Sequence, residues 1–156
     1  MNVHGFMPMV GYGATEEIYK EFNKLGDNYW EHKLSWLRNA VPEIDDTDFY
    51  HKFALVQYCA YTSEKYGKGY ESGDYLPSQL FTKDVIRYVA YNRPNTKFVI
   101  FRAIDKWKEL LDEDVWYTIL PRLIVGNSYR QQTLSPTNLG EANFQALVDI
   151  VKKSSL

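Results

Sequence analysis

The chain has 156 residues, of which 45% are hydrophobic and 24% charged, with only 9 Gly and 6 Pro. That length is one domain's worth and buries a sizeable core, and the composition excludes collagen-like, low-complexity and strongly disordered classes. A net charge of −2 excludes coating of duplex DNA by charge alone, although residues 51–110 carry ten basic and six acidic groups while residues 1–50 carry four and nine. Aromatics are in excess, with 13 Tyr, 8 Phe and 4 Trp, so many rings carry a hydroxyl that needs a partner.

In chain order, the apolar run Phe6 to Val10 predicts a first strand, and Thr15 with Glu16 and Glu17 predicts the start of a helix closed by Gly26. A second helix is expected over Tyr29 to Ala40, burying Trp30, Leu34 and Leu37 and ended by Pro42. Phe53 to Tyr58 reads as another buried strand, and Thr62 to Pro77 as a long Gly- and Tyr-rich surface loop. Ser78 opens a helix with Phe81, Val85 and Val89 inward, stopping before Pro94. Lys97 to Phe101 is a third strand, Ile104 to Leu111 a short helix, and Leu120 to Val125 a fourth strand. The last helix carries Phe144, Leu147, Val148 and Val151 at i, i+3, i+4 and i+7, with Asn138 and Glu141 resembling a capping box.

Continuous rather than alternating apolar runs are what strands covered on both faces show. The expected fold is therefore a single α/β domain over residues 1–156, a three-layer sandwich with a mostly parallel four-stranded central sheet and helices on both faces. The single Cys59 allows no disulfide within the chain, the start of the chain lacks a signal-peptide pattern, and no apolar run is long enough to span a membrane. A cytoplasmic location and no membrane contact are expected.

In such sheets ligands bind beyond the carboxyl ends of the strands. Three loops qualify. Val10-Gly-Tyr-Gly-Ala-Thr-Glu-Glu17 lets backbone amides approach a ligand at Gly11 and Gly13, with Tyr12 as a stacking ring; a tight turn with a helix cap is the plainer reading. Phe101-Arg-Ala-Ile-Asp105 presents Arg102, with Asp105 read as a cap or ion-pair partner. Gly126-Asn-Ser-Tyr-Arg-Gln-Gln132 concentrates amide, hydroxyl and guanidinium groups suited to base edges or phosphate, in Asn127, Ser128, Arg130 and Gln131. His4, His32 and His51 match neither a metal site nor a triad, and Asp45-Asp-Thr-Asp48 is read as an acidic loop rather than a Mg2+ site, so no metal and no cofactor are expected.

Taken together, Val10 to Glu17, Phe53 to Tyr58, Leu76 to Phe81, Arg93 to Phe101, Leu123 to Ser128 and Ser135 to Phe144 resemble, in order and spacing, the uracil-DNA glycosylase-like superfamily. That family's first motif positions an attacking water, and its last carries a histidine that supports the departing base. The resemblance implies Glu16 or Glu17 in the first role. The matching last segment reads Gly126-Asn127-Ser128, so Asn127 or Arg130 would stand in for the absent histidine. The function it implies is binding of a nucleobase, nucleotide or DNA, with hydrolytic removal of a base from DNA and thus DNA repair as the activity. The alternative is a non-enzymatic interaction protein using the Tyr61 to Tyr75 loop to hold a protein partner.

Overall fold

A computed structural model describes residues 29–54, 56, 58, 75–128 and 132–153. These residues are mostly helical. In order they form α1 (Tyr29–Ala40), α2 (Asp46–Tyr50), α3 (Pro77–Asn92), β1 (Phe98–Ile100), α4 (Ile104–Leu110), α5 (Glu113–Ile119), a 3-10 turn (Leu120–Arg122), β2 (Leu123–Val125), α6 (Pro136–Leu139) and α7 (Glu141–Lys152). The described residues divide into two compact units, one drawn from residues 56–96 and 103–121 and the other from residues 29–54, 97–102 and 122–153.

The second unit holds the sheet, and the four-stranded sandwich is not what it contains. Among the described residues there are two strands, each of three residues, paired in parallel with Phe98, Val99 and Ile100 opposite Leu123, Ile124 and Val125. Parallel pairing and the positions of these two strands agree with the sequence, but their extent does not. Of the Phe53 to Tyr58 run, the described Phe53, Ala54, Val56 and Tyr58 lie in no strand. Phe53 instead tilts against Phe49 at 5.0 Å between ring centroids, as the continuation of α2. Leu120 to Arg122 coils into the 3-10 turn around Pro121, whose missing N–H cannot serve a ladder. A short apolar run fits a packed helix end as well as a buried strand. Phe6 to Val10 lies outside the described residues.

What buries the strand pair is helical. Leu34, Leu37 and Val41 from α1 and its end, Phe49 from α2, Ile124 from β2, and Phe144, Leu147, Val148 and Val151 from α7 form one core with Leu134 and Leu139. A large aliphatic or aromatic side chain buried in this way stabilises by about 1.5–3 kcal/mol. Both long helices match their dipoles: α1 starts with Glu31 and ends with Arg38, and α7 starts with Glu141 and ends with Lys152. Lys52 Nζ donates to the carbonyl of Lys153 at 3.0 Å, closing the end of α7. Between α6 and α7, Gly140 takes φ 82°, which explains a glycine there.

The first unit packs α3 against α5. Its buried apolar residues are Ile86 and Ala90 of α3, Trp107 and Leu110 of α4, Leu111, and Val115, Trp116 and Ile119 of α5. Tyr58 stands edge-on to Trp107 with centroids 5.3 Å apart. Asp112, ahead of α5, receives Lys83 Nζ at 2.6 Å and the Arg87 guanidinium, so two cations of α3 hold the start of α5. The inward face of α3 is Gln79, Thr82, Ile86 and Ala90. Phe81, expected inward, is 54% exposed, and Val85 and Val89 lie at the margin.

Candidate functional site at the strand ends

Parallel pairing puts the carboxyl ends of β1 and β2 at one edge. The last paired residues are Ile100 and Val125, and the N–H of Gly126 donates to the carbonyl of Ile100 at 2.9 Å, extending the ladder by one step. Arg102 and Asn127 are each two residues beyond that last pair. Neighbouring strands are spaced by about 4.8 Å, so the two residues follow adjacent strand ends. Gly126 is required here by space: a Cβ would overlap the Phe101 ring.

The Asn127 loop is suspended from a buried polar group. The Asn127 N–H donates to the carbonyl of Asn138 at 2.7 Å, and its Nδ2 donates to the carbonyl of Thr137 at 3.3 Å. Asn138 is 4% exposed; its own N–H faces Ser135 Oγ at 3.3 Å, and its Nδ2 donates to the carbonyl of Thr133 at 3.0 Å. Thr133 and Ser135 are buried with it. Amide-to-carbonyl bonds in a dry setting hold geometry because leaving either partner unmet costs about 1–3 kcal/mol. The Asn127 side chain is exposed and keeps a second N–H and its oxygen for a ligand. Gln132 lies against Arg102; with its carboxamide turned so that oxygen faces the guanidinium, it accepts from Nη2 at 2.8 Å and also from Nε. Arg102 is thereby oriented by a neighbour.

Three of the sequence-predicted residues are thus described, and Arg102, Asn127 and Ser128 fall on one edge of one unit. Gly11, Tyr12, Gly13, Glu16, Glu17, Arg130 and Gln131 lie outside the described residues, as do His4, Cys59 and the Tyr-rich loop up to Asp74. Tyr75, at the end of that loop, donates its hydroxyl to the carbonyl of Glu109 at 3.2 Å. Asp105 sits in the first turn of α4 without capping it; the residue at that cap is Ala103, at φ 54°. The residues that the sequence reading missed are Gln132, Thr133, Ser135 and Asn138. Asn138 was expected to cap the last helix, whereas it belongs to α6 and Gly140 precedes α7.

The Asp45 to Asp48 cluster has structural duties. Asp45 caps α2, accepting from the Asp48 N–H at 3.0 Å, and Asp46 accepts from Arg38 Nε at 2.8 Å. No group of three or more His, Cys, Asp or Glu fit to hold a metal ion occurs among the described residues. His32 and His51 are exposed. The hydrogen bond from the Asp48 backbone holds the Asp45 carboxyl below the ordinary carboxylate range. For an acid lowered in the folded state, the contribution is present above its unfolded pKa and disappears as pH falls through the folded one. Asp45→Ala should therefore unfold at a lower temperature than wild type at pH 7 and at the same temperature near about pH 2. Asp45→Asn, which can still cap, should stay close to wild type at pH 7.

No family model, curated protein or solved structure matches the chain. No described helix is long and apolar enough to cross a membrane.

Proposed function

We propose that this chain binds a nucleobase or nucleotide, free or within a single-stranded nucleic acid, at the carboxyl edge of the β1 and β2 pair. The observation that carries the reading is that Arg102 and Asn127 each follow the last paired residues of the two adjacent strands, Ile100 and Val125, by two positions. A carboxamide donates and accepts at once, which suits the edge of a base. A guanidinium presents forked donors to phosphate or to ring acceptors. Ser128 adds a hydroxyl beside them. In this reading Asn127 supports the base and Arg102 fixes its phosphate or carbonyl oxygen. If the site also hydrolyses an N-glycosidic bond, Glu16 or Glu17 orients the water.

The test is fluorescence anisotropy with a labelled single strand of about 12 nucleotides at about 50 and 200 mM salt, alongside thermal shifts with free bases and nucleotides. Arg102→Ala and Asn127→Ala are each expected to weaken binding about tenfold to a hundredfold, the loss of one charged or one paired hydrogen-bond set. Absence of binding to every base, nucleotide and strand, or binding indifferent to both substitutions, overturns the reading. Incubation of the same strand carrying uracil or a damaged base, followed by detection of abasic sites, separates binding from excision.

A further inference from the structure

Phe101, Arg102 and Ala103 carry the chain from β1 into α4, and the last of them takes a conformation that its side chain disfavours. Ala103 has φ 54° and ψ 39°, and among the described residues no other residue except glycine has a positive φ. In that region Cβ crowds the following carbonyl, so the conformation persists where the surroundings over-determine it. Both sides of the turn are fixed. Ahead of it, the Phe101 ring occupies the space beside Gly126, whose N–H is bonded to the Ile100 carbonyl. Beyond it, the Ala103 carbonyl accepts the N–H of Trp107 at 3.0 Å and opens α4, and Trp107 is buried. Arg102 stands between these two anchors with its guanidinium against Gln132. Ala103 is exposed, so a larger side chain there displaces no core residue and acts through the backbone.

We propose, resting on the ligand binding inferred above for the strand ends, that Ala103 is a positioning residue of that site. Its left-handed backbone sets Arg102 beside Gln132, and affinity for a nucleotide or single strand depends on that conformation through Arg102. With a right-handed backbone, Ala103 would become the first residue of α4 and Arg102 its cap. The guanidinium would then start from a different place and direction, away from the carboxamide that orients it. A turn that merely starts α4 behaves differently: substitutions in it move stability and leave the affinity of the folded protein alone.

The test is a double-mutant cycle on the full chain, read by fluorescence anisotropy with the labelled strand of about 12 nucleotides at about 50 mM salt. Thermal midpoints recorded alongside separate loss of fold from loss of affinity. Ala103→Val, whose branched Cβ is out of place at a left-handed φ, is expected to weaken binding about fivefold to thirtyfold. Ala103→Leu, bulky but unbranched, serves as a second variant of the same kind and should weaken binding in the same direction. Ala103→Gly takes this φ freely and Ala103→Asn tolerates it, so both should keep affinity within about threefold of wild type. In an Arg102→Ala background, the loss from Ala103→Val should shrink to less than about twofold. Folded Ala103→Val and Ala103→Leu proteins that bind as wild type does, a loss that persists in full without Arg102, or an equal loss in Ala103→Gly and Ala103→Asn overturns the positioning role. The binding reading then still stands on Arg102→Ala and Asn127→Ala. Absence of binding by the wild-type chain, or binding indifferent to Arg102→Ala, overturns that reading and the positioning role with it.

Discussion

Phe49→Ala is expected to lower the thermal midpoint by roughly 6–20 °C, and Phe81→Ala by less than about 2 °C. The two residues are the same chemically, and the sequence reading expected Phe81 inward. Phe49 is fully buried, meets Tyr50 edge-on at 5.1 Å and Phe53 at 5.0 Å, and carries the Arg38 guanidinium over its ring at 5.4 Å. Removing the ring takes away its transfer energy and leaves a cavity bounded by α1, α2 and α7, a combined cost of about 3–5 kcal/mol. Phe81 is more than half exposed, so its truncation removes little buried area and creates no void. Unfolding followed by far-UV circular dichroism and by tryptophan fluorescence checks both values. Equal losses for the two variants would contradict the burial assigned here.

The contrast shows which parts of the fold were legible. Helices α1 and α7 announced themselves because their buried positions are all apolar and spaced at helical intervals: Leu34 and Leu37 in one, Phe144, Leu147, Val148 and Val151 in the other. The parallel pair was legible for a related reason, since Phe98 to Ile100 and Leu123 to Val125 are apolar throughout and separated by helical sequence. Helix α3 hides its orientation. Its inward face includes Gln79 and Thr82, and Gln79 is admitted because its Oε1 accepts the N–H of Leu76 at 2.8 Å, a bond that hydropathy does not register. Aromatics on the outside and an amide on the inside invert the usual rule, so pattern reading placed Phe81 on the wrong side and centred the inward face on Val85 and Val89, which lie at its margin. Helix α5 was obscured by the acidic run that begins it, Asp112 to Asp114, which serves to receive Lys83, Arg87 and Tyr91.

At the strand ends the legible part was the exposed part. Arg102, Asn127 and Ser128 stand out in sequence because several polar side chains follow directly on apolar runs. Thr133, Ser135 and Asn138 were not legible as a support, because a buried polar residue and a surface one are written with the same letter. What distinguishes them is that the Asn138 N–H and Nδ2 find the Ser135 hydroxyl and the Thr133 carbonyl, a property of the fold around α6 rather than of the segment itself. Gln132 belongs with them, since only its packing against Arg102 gives it a role.

Asn138→Asp converts this support into a pH-dependent one and tests it with a sign that a general loss of stability would not give. The side chain is 4% exposed and its Nδ2 donates to the carbonyl of Thr133. A carboxylate in its place sets acceptor against acceptor in a buried site, at a cost of about 3–5 kcal/mol. Burial raises the folded-state pKa of the introduced acid above its unfolded value. For an acid so raised, full stability is present below the unfolded pKa and is lost as pH rises through the interval up to the folded pKa. The protonated form keeps an O–H that can replace the Nδ2 donor. Because the Asn127 N–H hangs on the Asn138 carbonyl at 2.7 Å, the loop and any ligand it holds should follow. The expected result is an early thermal transition and ligand affinity reduced at least about tenfold at pH 7.5, both recovering toward wild type near about pH 4. Asn138→Leu removes the donor without adding a charge and should show a constant, smaller deficit of about 1–3 kcal/mol at every pH. Matching pH profiles for the two variants would mean that Asn138 fills space, and that the hydrogen bond to Thr133 does not hold the site.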